Sequence, residues 1–275
     1  MFEILANETL APSLHRLVVR APRVAAARKA GQFVIVRAGT AEERIPLTIG
    51  DADPENGTIT LFIQAIGVST RRLVALRPGD ALRDVAGPLG RATEIEQYGR
   101  VACIGGGVGT AVLYPMAKAL AETGNEVTSV IGGRAAPYII LAKELGEFSH
   151  AVRITTEDGS LGRKGFVTAE LEAMIADPQR RPEEVFAVGP VPMMQAVAEL
   201  TRAHGIKTVV SLNPIMIDGT GMCGGCRVLI DGEAKFACVD GPEFDGHRVD
   251  FASLADRLTM YREHEAACRL QAAGA

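Results

Sequence analysis

Asp218, Cys223, Cys226 and Cys238 stand in the order Asp-x4-Cys-x2-Cys-x11-Cys within the stretch IDGTGMCGGCRVLIDGEAKFACVDG. A Cys-x-x-Cys lets two sulfurs grip one metal centre, and Gly224 and Gly225 between them let the backbone curl around it. With an acid in place of the first thiol, this is the spacing of plant-type 2Fe-2S ligand runs, Cys-x4-Cys-x2-Cys and a distant fourth Cys. Asp218 is then a candidate fourth ligand. An oxygen donor is harder than sulfur and can be protonated, so it would shift the reduction potential and make it sensitive to pH.

Two other readings stay open. Asp218-Gly219 can be a plain turn, with water, a backbone group or Cys268 completing the coordination. The site can also be a structural zinc held by three thiolates and a fourth group. Against zinc, there is one Cys-x-x-Cys and no second pair, and His247 lies nine residues past Cys238. None of His15, His150, His204, His247 and His264 falls in a triad or a ligand spacing. Five cysteines, three of them within 16 residues, suit ligands in a reducing compartment better than a disulfide framework. Cys103, inside a strand, reads as apolar filler.

A second chemistry belongs to phosphate. CIGGGVGTA (103–111) sits between a strand and a helix, where glycines admit a pyrophosphate and the helix N-terminus supplies N–H groups. Position 110 is Thr where the dinucleotide fingerprint has a third Gly, so alone the motif is weak. TEDGSLGRKGFVT (156–168) and GPVPMM (189–194) follow later strands, and both fall on the ligand-binding edge of an open α/β sheet. RIPLTI (44–49) puts a guanidinium, a proline and then Leu47 and Thr48 on a strand, which by itself reads as an ordinary edge strand. In QAIGVSTRR (64–72), Gly67, Ser69 and Thr70 open a helix, a phosphate site or a simple N-cap.

These residues need two kinds of scaffold. Residues 1–97 carry short β-type runs broken by turns, LHRLVVR (14–20), FVIVR (33–37), TITLFIQ (58–64) and ALRDVAG (81–87), with a helix expected over 69–76; this is the pattern of a closed antiparallel barrel. Residues 98–211 alternate apolar strands with amphipathic helices, including one expected over 138–148, and predict a doubly wound parallel sheet. Residues 212–275 hold seven glycines between 219 and 246, need a staple to be ordered, and close on a helix expected over 250–270.

The net charge of −4 and the lack of a basic block disfavour nucleic acid as a partner. No apolar run approaches the roughly 18 residues of a membrane span, and an acid near the N-terminus stands where a signal peptide carries basic charge, so a cytoplasmic protein is expected.

Together the three parts resemble the ferredoxin reductase-type flavoproteins of the 2Fe-2S branch. RIPLT resembles that family's flavin-binding Arg-x-Pro-Leu-Thr, GPLG (87–90) its barrel-closing turn, GGGVG its nicotinamide-domain turn and GPVPMM its Gly-Pro-x-Pro-Met. Within the branch, the cluster segment is very similar to the small subunits of NADH-dependent reduced ferredoxin:NADP+ oxidoreductases (sulfide dehydrogenase small subunits), where one Asp and three Cys hold the cluster. The related electron-transfer subunit of dihydroorotate dehydrogenase has four cysteines, from which Asp218 departs.

The resemblance implies FAD held by Arg44, Pro46, Leu47, Thr48, Ile63, Gln64, Gly67, Ser69 and Thr70. It implies NAD(H) at Gly106, Gly107, Val108, Gly109, Thr110, Glu157, Asp158, Gly159, Gly189, Pro190 and Met193. It implies a 2Fe-2S cluster on Asp218, Cys223, Cys226 and Cys238. It further implies a heterodimer with a larger subunit carrying FAD and 4Fe-4S clusters, itself resembling the glutamate synthase small chain and serving ferredoxin. A function of another class, a zinc-stapled binding module without catalysis, is separated from this by metal content. Arg134, after the second strand of the sheet, could meet a 2′-phosphate, and NADH is favoured by resemblance alone.

Overall fold

A computed structural model describes residues 1–40 and 42–262. Cys268, His264 and the far end of the expected closing helix lie outside them.

The chain opens with β1 (Phe2–Ala11), β2 (Leu14–Arg20), α1 (Pro22–Ala27), β3 (Phe33–Arg37), β4 (Ile45–Asp53), β5 (Thr58–Gln64), α2 (Val68–Ala75), β6 (Ala81–Leu82) and β7 (Asp84–Leu89). Its strands form one antiparallel sheet in the order β6-β1-β2-β5-β4-β3-β7. The two edge strands are separated only by Arg83, so consecutive residues draw the edges together into a nearly closed barrel. The run FVIVR of β3 is apolar throughout because both of its faces are covered. Val34 and Val36 point into the barrel core, whereas Phe33 and Ile35 pack with the rest of the molecule.

RIPLTI is not an edge strand, since β4 lies between β5 and β3. Pro46 is tolerated because β4 divides its partners: Ile45–Thr48 pair with β3 and only Ile49–Asp53 with β5. The N–H that proline lacks is therefore missed by no neighbouring strand. The gap left between β4 and the end of β5 opens toward the cavity described below.

The second unit holds β8 (Arg100–Gly106), α3 (Gly109–Glu122), β9 (Glu126–Gly133), α4 (Ala142–Gly146), β10 (Ala151–Thr156), β11 (Arg163–Lys164), α5 (Val167–Ala176), β12 (Glu184–Val188), α6 (Val191–Ala203) and β13 (Lys207–Ser211). Its strands are parallel, in the order β11-β10-β9-β8-β12-β13. The order reverses at β8, whose carboxyl end carries the glycine turn, as expected of a ligand crevice in such a sheet. The helix expected over 138–148 shrinks to α4. Leu141 takes a left-handed φ of 56°, and Ile140 and Leu141 are instead buried with Leu14 and Ala111 between the two units. Tertiary burial here outweighs helical periodicity.

The remainder comprises the hairpin β14 (Arg227–Ile230) and β15 (Glu233–Phe236), α7 (Ala237–Asp240), β16 (Glu243–Asp245) and α8 (Phe251–Leu258). β16 adds antiparallel to β13 and extends the second sheet. The cysteine segment is thereby joined to that sheet by backbone hydrogen bonds, and Cys226 and Cys238 share one apolar core with Phe33, Ile35 and the helices α5 and α6.

Candidate functional site

A cavity of about 950 Å³ lies between the barrel, the carboxyl edge of the second sheet and the segment after β13. That volume sits at the upper end for small-molecule sites. From the barrel come Phe33, Pro46, Thr48 and Gln64; from the second sheet come Gly106–Gly109, Glu157, Gly189, Pro190 and Met193; and Asn213, Pro214, Met216 and Pro242 close one end. The helices α3 and α6 both begin at this wall without a side-chain cap. Their positive dipole ends suit a pyrophosphate, although the N–H groups of Thr110, Ala111, Met193 and Met194 already donate to the carbonyls of Gly107, Val108 and Pro190. The turn before α3 is tight: a Cβ on Gly109 would stand 2.4 Å from the Val188 carbonyl oxygen. Only glycine lets α3 start so close to the loop that follows β12.

Several residues named from sequence stand off this wall. Thr110 is buried beneath the turn, and the Ile63 side chain points into the barrel core. Leu47 packs against that same core. The Thr70 hydroxyl accepts the N–H groups of Ile66 and Gly67 at 3.1 and 3.0 Å and so acts as a helix cap, and the Ser69 hydroxyl donates to Glu43. Arg44 is exposed, and neither it nor Gly67 lines the cavity. Asp158 accepts from Ser160 at 2.9 and 2.6 Å, bonds that hold its carboxyl below the usual range. Asp158 and the adjacent Gly159 therefore build the loop and do not face the cavity.

Residues the sequence did not single out also line it, notably Phe33, Tyr138, Phe166 and Asn213. The lone audible signal was Phe166, an aromatic between a glycine and a helix start that remains exposed. Arg134 and Glu157 are the two charged residues on the wall, and Arg134 lies over the Tyr138 ring at 4.6 Å.

The cysteine loop packs against the same face of β3, with Gly219 against Ile35 and with Cys226 and Cys238 in one core with Phe33 and Ile35. The four ligand candidates form two pairs. The sulfurs of buried Cys226 and Cys238 are 3.2 Å apart. Asp218 accepts the Cys223 N–H at 2.9 Å and the Thr220 N–H at 2.6 Å. Hydrogen bonds from Thr220 and then Cys223 hold the Asp218 carboxyl far below its ordinary range. Burial and the neighbouring Cys226 push the Cys238 thiol up to about 12. Among the described residues no three such side chains already stand together as a metal-holding group.

The donor set nonetheless fits an iron–sulfur group. The Gly225 and Cys238 N–H groups point at the Cys223 and Cys226 sulfurs, each at 3.4 Å, and hydrogen bonds to ligand sulfurs tune clusters. His247, the nearest imidazole by sequence, is bonded to Thr201 at 3.0 Å and is taken up structurally. Asp218 already shapes the turn through its hydrogen bonds, so the turn reading describes part of what it does.

A protein from Thermotoga maritima, a homologue of the electron transfer subunit of dihydroorotate dehydrogenase B (NAD+), is 45% identical over 96% of this chain and 92% of its own length. This chain belongs to the family of dihydroorotate dehydrogenase B-type electron transfer subunits. The electron transfer subunit of Shouchella clausii is 32% identical over 88% of this chain and 94% of its own. The oxidoreductase NAD-binding domain family matches residues 103–199, and the iron-sulfur cluster binding domain of dihydroorotate dehydrogenase B matches residues 213–250. A chain of the NADH-dependent reduced ferredoxin-NADP oxidoreductase, solved in a study of flavin-based electron bifurcation, superposes with a TM-score of 0.93 at 43% identity, covering 98% of this chain and 97% of that one. The cytochrome P450 reductase of Amycolatopsis, at 20% identity and TM-score 0.62 over 74% of this chain and 66% of its own, shares the fold. As a family member, this chain is an oxidoreductase-type, NAD-binding electron transfer subunit. No helix among the described residues is long and apolar enough to cross a membrane.

Proposed function

We propose that this chain is the NADH-oxidising electron transfer subunit of a ferredoxin:NADP+ oxidoreductase-type complex, with residues 1–97 as flavin barrel, 98–211 as nicotinamide domain and 212–275 as cluster module. One observation carries the reading: a single face of β3 is shared by the cavity, through Phe33, and by the core that encloses Cys226 and Cys238. When bound, FAD accepts the electron pair of a hydride and a 2Fe-2S cluster passes electrons on singly.

The chain's own residues do the positioning. Pro46, Thr48 and Gln64, with Phe33 beside them, would hold the flavin; the backbone of Arg44, Leu47, Ile63, Gly67, Ser69 and Thr70 would extend that site along the barrel. Gly106–Gly109 and the start of α6 at Pro190 and Met193 would receive the NADH pyrophosphate. Glu157 would take the ribose hydroxyls, with Thr110, Asp158, Gly159 and Gly189 shaping the loops around it. Asp218, Cys223, Cys226 and Cys238 would hold the cluster. Exposed Met222, Ile217 and Val239 surround the cluster loop, with Met222 89% accessible, and support docking of a larger partner subunit bearing FAD and 4Fe-4S clusters. Three thiolate ligands suit a reducing, cytoplasmic setting.

Purified anaerobically, the chain is expected to hold one FAD, two irons and two acid-labile sulfides. One zinc without iron would refute the reading in favour of a binding module. The Thermotoga and Shouchella relatives favour a second reading, a subunit of dihydroorotate dehydrogenase B, and the partner captured from native lysate separates the two.

A further inference from the structure

The cysteine loop does not hang free beside the barrel. Gly219, with a φ of +77°, rests on the barrel wall: a Cβ there would stand 2.9 Å from Ile35 Cγ1 and 3.0 Å from Leu89 Cδ1. Ile35 is on β3 and Leu89 on β7, which are hydrogen-bonded neighbours. In register, Phe33 stands opposite Thr48 and Ile35 opposite Pro46 on β4. Residues paired across an antiparallel ladder share a face, as do residues two apart along a strand. Phe33, Pro46 and Thr48, which line the cavity, therefore lie on the same barrel face as Ile35, which seats the loop. Two residues along β3 span about 7 Å and one strand spacing is about 5 Å, so the cavity wall and the loop backbone are separated by on the order of 10 Å.

We propose that Gly219 and Ile35, backed by Leu89, form a seat that fixes the cluster loop at a set distance from the flavin face of the barrel. They are positioning residues, and the inference rests on the flavin and cluster assignment made above. The contact is close because neither side can yield. Ile35 is held in a strand covered on both faces, and the loop residue beneath it has no side chain. Removing the Ile35 side chain, or adding a methyl group at 219, loosens or lifts the loop without touching a cluster ligand.

The control lies in the same module. Gly232 has a φ of +78°, almost that of Gly219, yet a Cβ there would meet nothing within 4 Å. Gly232→Ala therefore carries the backbone strain without the collision.

The test uses the full chain in four variants, Gly219→Ala, Ile35→Ala, Ile35→Val and Gly232→Ala. Hydrogen exchange on the full chain as purified reads the seat directly: amides of 219–226 exchange faster in the first two variants and as in the parent in the last two. On the loaded chain, laser-flash reduction of the bound flavin is followed at the cluster absorbance. Transfer is expected to slow roughly 10- to 100-fold in Gly219→Ala and Ile35→Ala. Ile35→Val, which keeps a branch against Gly219, and Gly232→Ala stay near the parent rate. An unchanged rate in Ile35→Ala with full flavin and cluster content overturns the proposal, as does equal slowing in Gly232→Ala. Should Gly219→Ala fail to retain its cluster, Ile35→Ala decides, because its loop sequence is intact; should Ile35→Ala fail to fold, Leu89→Ala replaces it. A chain that binds no flavin or no iron refutes the proposed function, while the exchange result on the seat stands by itself.

Discussion

Replacing Glu243 by Gln tests how the three parts of the molecule are held together. Glu243 lies on β16, yet its carboxyl accepts the Thr93 hydroxyl at 2.8 Å from the strap between barrel and second sheet. Gly31 of the barrel closes the third side: its φ is +80°, and a Cβ there would fall 2.5 Å from Glu243 Oε1. The residue as a whole is half-buried, but its carboxyl end is enclosed. Burial, opposed only by the Thr93 hydroxyl, pushes the carboxyl up from 4.5 to about 7. Between those values the folded chain keeps a proton that the unfolded chain has released. Stability therefore falls as pH rises from about 4.5 and levels off above about 7, a loss of at most about 3 kcal/mol. The partly open edge of the side chain lowers this to roughly 1–3 kcal/mol, or about 2–10 °C in Tm for a chain of this size. Glu243→Gln keeps an acceptor for Thr93 and cannot ionise. Thermal unfolding of parent and variant across pH 5 to 8 is the assay. The parent should lose stability relative to the variant as pH rises over this range, and the variant should exceed it at pH 8. Parallel curves would refute the enclosure of that carboxyl.

Two further outcomes follow from the cavity. Gly109→Ala places a methyl group against the Val188 carbonyl and must push α3 away from the loop after β12; the KM for NADH should rise about tenfold or more, with a stability loss of about 1–3 kcal/mol in thermal unfolding. Glu157 is the carboxylate on the wall, which also carries Arg134, and the proposed function gives it the ribose hydroxyls of the nucleotide. Glu157→Gln should shift the NADH to NADPH ratio of kcat/KM roughly tenfold toward NADPH, the worth of one hydrogen bond to a charged group. An unchanged ratio would mean that Glu157 does not read the ribose.

The positions of the iron–sulfur and NAD-binding segments were legible because their signals are short-range. Ligand spacing at 218–238, the glycine turn at 105–109 and the alternation of strands and helices after residue 98 all depend on neighbours in sequence. What was lost depends on contacts across the fold. Ile140 and Leu141 read as helix because their apolar partners, Leu14 and Ala111, lie on other elements. β16 is a three-residue strand whose only licence is an open edge on β13. Phe33 reads as core in any strand of type FVIVR, and only the register with β4 turns it toward the cavity. Ser69 and Thr70 read as phosphate contacts or caps, and sequence could not show that their hydroxyls meet Glu43 and the backbone N–H groups of Ile66 and Gly67.

The central claim is that a hydride from NADH enters at the barrel and its electrons reach the Asp218–Cys238 loop within this one chain. Anaerobic titration of the loaded chain with NADH, followed at flavin and cluster absorbance together, measures it. Three electrons, or about 1.5 NADH per chain, should bleach both signals. An endpoint at about one NADH with the cluster untouched in the presence of excess NADH would contradict it.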